Sequence, residues 1–167
     1  MSSPSIQNTA AARAAGPMLR AEFLMQLSAE FDDAQNVGET PLGARRILTM
    51  KRGSFAGPRL NGRLLPGGGD WVLVRRDGVA QLDIRLTLCA DDDALIYVSS
   101  RGILDMAPEL RRRILDGEQI DPAEYYFRTV LAFETAADKY RRLNRVVAVG
   151  VATRTTLGMV TDVFEIQ

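Results

Sequence analysis

The 167-residue chain is of single-domain length, and 46% apolar against 25% charged residues supports a packed core without metal or disulfide staples. Its 21 basic and 21 acidic residues balance, so the composition indicates no polyanion-binding surface and argues against nucleic acid as a partner. Histidine is absent and Cys89 stands alone, so Ser-His-Asp and Cys-His catalysis, an internal disulfide and cysteine-based zinc or iron–sulfur sites are excluded.

No window approaches the ~20 apolar residues needed to cross a membrane, and no membrane partner is expected. Residues 1–17, rich in Ala and Ser with Arg13 the only charge, lack a signal-peptide core and read as a disordered leader to one domain spanning 18–167. Without an export signal or paired cysteines, a cytoplasmic location is the default expectation.

From Leu19 the apolar residues Leu19, Ala21, Phe23, Met25 and Leu27 alternate, which predicts a half-buried strand. The turn signal Gly38 to Gly43 precedes a second strand through Ile47, Leu48 and Met50 that ends at Gly53. Further runs follow at Leu60 to Leu65, Trp71 to Arg75, Gln81 to Leu88 and Leu95 to Ser99, then at Tyr126 to Val130, Val146 to Thr153 and Val160 to Ile166. Arg76-Asp77-Gly78 and Ala90-Asp91-Asp92-Asp93 have the composition of hairpin turns. Strands at this spacing predict an all-β barrel or sandwich.

Three segments break the pattern. Pro108 to Leu115 opens on a proline suited to a first helical position and stops before Gly117, which predicts a short helix with Arg111, Arg112 and Arg113 on solvated faces. Asp121-Pro122-Ala123-Glu124 reads as a capping box, and Thr135 to Leu143 as another short helix capped by Thr135. Cys89 reads as a buried small hydrophobe rather than a nucleophile, since no histidine is present to activate it. Gly67-Gly68-Gly69 lacks the following helix and Gly-Lys-Ser/Thr ending of a phosphate loop and reads as a turn or bulge.

The run from Gly53 to Gly62 (Gly-Ser-Phe-Ala-Gly-Pro-Arg-Leu-Asn-Gly), then Leu65 to Trp71 and Leu82-Asp83-Ile84-Arg85, resembles a family of small bacterial and fungal proteins called DUF3237 or UPF0311. Tyr126-Phe127-Arg128-Thr129, Phe133-Glu134-Thr135, Tyr140 and Leu143-Asn144-Arg145 follow in the family's order. Arg142 departs from the pattern, where an aromatic residue often precedes the Leu-Asn pair. The resemblance implies a closed antiparallel β-barrel of about eight strands with one or two short helices in its connections, often a homodimer, with no settled activity.

Fold alone does not give function, so the candidate site rests on particular residues. In Leu82 to Leu88 the apolar Leu82, Ile84, Leu86 and Leu88 alternate with Asp83, Arg85 and Thr87, so Asp83 and Arg85 share a face. Facing water they would form a surface ion pair; facing a cavity, Arg85 would hold a carboxylate and Asp83 would orient it or act as a base. Their place in the family motif favours the cavity. Tyr126 and Arg128 repeat the pattern on a later strand, offering an acid or hydrogen-bond donor and a second anion clamp.

Asp70 shares a face with Val72 and Val74 and is either a turn cap or a cavity residue, while Trp71 falls on the opposite face. Tyr97 is placed to line the same cavity as Asp83. Glu134, Tyr140 and Asn144 cluster at a loop able to close one barrel mouth. The expected function is a lyase or isomerase that needs no cofactor, moving a proton on a small aromatic or unsaturated acid, with Asp83 and Tyr126 catalytic. A non-catalytic barrel binding a small molecule is the alternative.

Overall fold

The computed structural model describes residues 18–167; the leader assigned to residues 1–17 lies outside the described residues. Strands β1 (Ala21–Phe31), β2 (Gln35–Thr40), β3 (Gly43–Ala56), β4 (Asn61–Val74), β5 (Ala80–Ala90) and β6 (Leu95–Asp105) precede helix α1 (Pro108–Leu115). A 3-10 turn (Pro122–Glu124) leads to β7 (Tyr126–Glu134), a longer 3-10 segment (Asp138–Arg145), β8 (Val147–Arg154) and β9 (Gly158–Ile166).

The strands run in the order β1-β9-β8-β7-β6-β5-β4-β3-β2, every pairing is antiparallel, and β1 also pairs with β3. Eight strands therefore form a closed barrel, as the resemblance implied. Strand β3 makes closure possible because it is long enough to serve two neighbours. Its first half pairs with β2, from Gln35↔Ile47 to Thr40↔Gly43, and its second half with β1, from Phe31↔Met50 to Gln26↔Ala56. At the β1–β9 seam Gly158 is obligatory, since a Cβ there would lie 1.9 Å from the Ala29 carbonyl oxygen.

The sequence runs Leu60 to Leu65 and Trp71 to Arg75 are two halves of one strand, β4. Between them the register with β5 shifts from Leu65↔Thr87 to Gly69↔Arg85, and Gly67 adopts φ +97°. This is a bulge across the glycine run, and it bends the strand immediately before Asp70. The polar β2, whose last residues Gly38 to Thr40 fall in the expected turn, is a strand that pairs with β3 beyond the barrel. Asp121 does cap its 3-10 turn, its Oδ1 accepting from the Ala123 amide at 2.9 Å.

Alternation fills the interior. Leu82, Ile84, Leu86 and Leu88 of β5 all point inward and are buried, together with Met25 and Leu27 of β1, Ile96 and Val98 of β6, and Val163 of β9. One end is plugged by the 3-10 segment, which buries Tyr140 and Leu143. There Arg142 forms an ion pair with the inward-facing, 4% exposed Glu165, so the residue that departs from the family pattern supplies a counterion to a buried acid. The opposite end is covered by α1, which buries Ile114. Among the described residues no helix is long and apolar enough to cross a membrane.

Candidate functional site

The orientation of β5 overturns the expectation that Asp83 and Arg85 look into the barrel. Four large aliphatic side chains occupy the inner face, so the charged pair stands on the outer wall. Arg85 Nη2 lies 3.0 Å from Asp83 Oδ1, with the two side chains 44% and 39% exposed. A pair in that setting is worth about 1 kcal/mol or less.

Strand β7 behaves alike: Phe127, Thr129, Leu131 and Phe133 are buried, leaving Tyr126, Arg128 and Val130 outside. Cross-strand register then assembles the outer residues. Asp83 lies opposite Arg101, Arg101 opposite Val130, and Ile103 opposite Arg128. Trp71, Asp83, Tyr126 and Arg128 thus line one open groove of about 910 Å³ on the outside of the barrel. Arg128 is engaged within it, donating to the Phe127 carbonyl at 2.9 Å and lying 5.3 Å from the Tyr126 ring centroid. Tyr97 joins Asp83 and Arg85 around an adjoining depression.

The remaining expected residues divide between the two ends. Asn144 and Thr135 exchange hydrogen bonds: Asn144 Oδ1 accepts from the Thr135 amide at 2.7 Å, and Asn144 Nδ2 donates to its carbonyl at 2.8 Å. The Tyr140 hydroxyl donates to the Asp92 carboxylate at 3.1 Å, and Glu134 is exposed. These residues belong to the plugged end, opposite the one that α1 covers.

Asp70 is the exception. It points inward with Val72 and is 4% exposed, at the end covered by α1. A cavity of about 220 Å³ opens there, walled by apolar side chains that include Phe31, Val72, Leu104, Phe127 and Met159. Its polar groups are few: Asp70 from β4, Arg46 from β3, Arg111 from α1 and Arg154 from β8. Arg111 corrects the reading of the 111–113 run as wholly solvated, because it shares a helix face with the buried Ile114 and turns with it toward the cavity.

The charges in this cavity are under pressure. Burial raises the Asp70 carboxyl to about 7; the Asp83 amide, which donates to its Oδ1 at 3.1 Å, opposes the rise, as does Arg154 more weakly. Burial likewise lowers the pKa of Arg154, and the neighbouring Arg111 charge lowers it further. Arg111 is lowered by its own burial and then by Arg46. An acid able to gain or lose a proton near neutrality thus sits beside a half-buried guanidinium in a largely apolar chamber.

The fold and this end-on cavity define a closed antiparallel β-barrel with an acid-and-arginine chamber under a short helix. The chain belongs to the family described as "Protein of unknown function (DUF3237)", whose profile matches residues 19–166. A UPF0311 protein of Rhodopseudomonas palustris is 33% identical over 150 residues, which is 90% of this chain and 98% of that protein. One from Clostridium acetobutylicum is 37% identical over 113 residues, 68% of this chain and 72% of the relative.

Among solved structures, a conserved R. palustris protein of unknown function superimposes with TM-score 0.84 at 32% identity, covering 91% of this chain and 100% of its own. A β-barrel-like protein of Acinetobacter baumannii gives 0.80 at 34% identity, covering 93% and 100%. A protein of Penicillium herquei described as an enzyme gives 0.69 at 19% identity, covering 92% and 99%, a likeness of fold alone.

Proposed function

We propose that the protein is a cofactor-independent lyase or isomerase that moves a proton on a small unsaturated or aromatic acid held in the interior cavity. The observation that carries this reading is Asp70, a buried carboxyl poised at about 7 inside an apolar chamber. Near neutral pH its two protonation states are comparably populated, so one group serves as both base and acid. Arg154 supplies the charge that holds the substrate's acid group.

In the reaction, carboxylate Asp70 takes a proton from a carbon conjugated to that acid group. The electron pair of the broken C–H bond delocalises into the conjugated system, where Arg154 stabilises the added negative charge. Asp70 then returns the proton at another carbon, which is isomerisation, or the delocalised pair becomes a new C=C bond while a leaving group departs with the electrons of its own bond to carbon, which is elimination. This reading moves the proton-transfer role from Asp83 and Tyr126 to Asp70. Asp83 stays paired to Arg85 on the exposed outer wall, where electrostatic stabilisation is screened.

The test is deuterium incorporation from D2O into carbon-bound positions of small unsaturated and aromatic acids, followed by proton NMR. Wild-type protein and Asp83→Asn should exchange at the same rate. Asp70→Asn should bind the same acid and exchange about 100-fold more slowly or worse. Undiminished exchange in Asp70→Asn overturns the assignment. Binding without exchange in the wild type would instead make the barrel a small-molecule carrier.

A further inference from the structure

The cavity holds more positive charge than one acid group requires. Arg154, Arg111 and Arg46 line it against the single carboxyl of Asp70. They lie at graded depth: Asp70 is buried, Arg154 and Arg111 are half-buried, and Arg46 is exposed at the rim. Among the described residues none of the three arginines forms an ion pair, although nine other pairs are present. A cationic side chain withdrawn from water without a counterion is costly, and two such arginines facing one chamber compound the cost.

Resting on the reading of this cavity as the substrate site, we infer that the ligand is a dianion, a compact unsaturated or aromatic molecule with acid groups at both ends. One acid group lies at Arg154 beside Asp70. The other lies at the mouth between Arg111 and Arg46. The size agrees: about 220 Å³ corresponds to about seven water volumes, or on the order of ten ligand non-hydrogen atoms. The apolar wall between the two charged zones suits a flat hydrocarbon spacer and offers nothing to a polyhydroxylated one.

Arg111 gives the second subsite a particular character, because it is delivered by α1 rather than by the barrel. The helix has no side-chain N-cap. Leu110 and Ile114 pack it against the barrel, and the Thr156 hydroxyl donates to the Ile114 carbonyl at 3.4 Å. An anion bridging Arg111 on α1 and Arg46 on β3 would join the covering helix to the barrel wall, so ligand binding and closure of the cavity reinforce one another.

Matched pairs that differ only by exchange of a methyl group for a carboxylate test the inference: crotonate against fumarate, and 4-methylbenzoate against terephthalate. Isothermal titration of the whole protein should show the diacid of at least one pair binding about tenfold or more tightly than its monoacid, an advantage that shrinks with added salt. The Arg46→Gln, Arg111→Gln double variant should lose that advantage while the monoacid affinity stays within about twofold. Its melting temperature without ligand should be unchanged or higher, because unpaired like charges have been removed.

Equal or tighter binding of the monoacids overturns the dianion inference and leaves the acid-binding cavity standing. A diacid advantage that survives in the double variant also overturns it. Failure of every acid to bind overturns the cavity reading on which it rests.

Discussion

Asp70→Asn should stabilise the protein above neutral pH by up to about 4 kcal/mol and leave it unchanged below about pH 4. The Asp70 carboxyl is raised to about 7 in the folded chain, mainly by burial, against about 3.9 for an unfolded aspartate. Between those values the native state keeps a proton that the unfolded state has released. Stability is therefore fully present below the unfolded value, falls as pH rises through this window and levels off above about 7. Three pH units at about 1.4 kcal/mol each set the upper limit. Asparagine keeps the shape and an oxygen to accept the Asp83 amide but carries no charge, so the variant escapes the loss. Urea unfolding of both proteins at pH 4, 6 and 8 measures it, and a difference that does not grow with pH contradicts the assignment. A site residue whose removal strengthens the fold is maintained at a cost in stability, a pattern expected of catalytic groups.

Ile84→Ala should cost about 2–5 kcal/mol, while Arg85→Ala, one residue away, should cost about 1 kcal/mol or less. Ile84 is 2% exposed in the middle of the barrel, where truncation leaves a cavity that closed walls cannot collapse to fill. Arg85 lies on the outer wall with one partner, Asp83, in contact with water. Chemical denaturation separates the two outcomes. A larger loss for Arg85→Ala would mean that the charged face of β5, not the aliphatic one, looks inward.

That contrast marks how far residue patterns alone reach. Period-two alternation identifies β5 as a strand with two unlike faces but is symmetric between inside and outside. The decision comes from barrel geometry, since a closed ring of eight strands has an interior just wide enough for side chains, and Leu82, Ile84, Leu86 and Leu88 fill it. Asp70 was within reach, because it shares strand parity with Val72 and Val74, both of which line the cavity. The glycine run Gly67 to Gly69 reads as a turn or bulge from its composition; what the local pattern lacked was the direction in which that bulge turns Asp70, inward beside its cavity partners.

The three cavity arginines went unrecognised for a different reason. Arg46, Arg111 and Arg154 are far apart in the chain, and only the topology brings the start of β3, helix α1 and the end of β8 to one end of the barrel. Faint signals existed. Arg154 continues the parity of the buried Ala148 and Ala152, and Arg111 stands three residues before Ile114 on one helix face. Strand β2 was hidden by Gly38 and by polar residues on both faces, as befits an edge that buries nothing.

The most direct measurement of the central claim is a carbon-13 NMR titration of the aspartate side-chain carboxyls, with and without 4-methylbenzoate. The account predicts that Asp70 titrates near pH 7, that bound acid moves this midpoint upward through like-charge repulsion, and that the Asp83 resonance stays in place when the acid is added. Asp70 titrating near pH 4 would contradict it, and an acid that perturbs Asp83 and leaves Asp70 untouched would contradict it by placing binding in the outer groove.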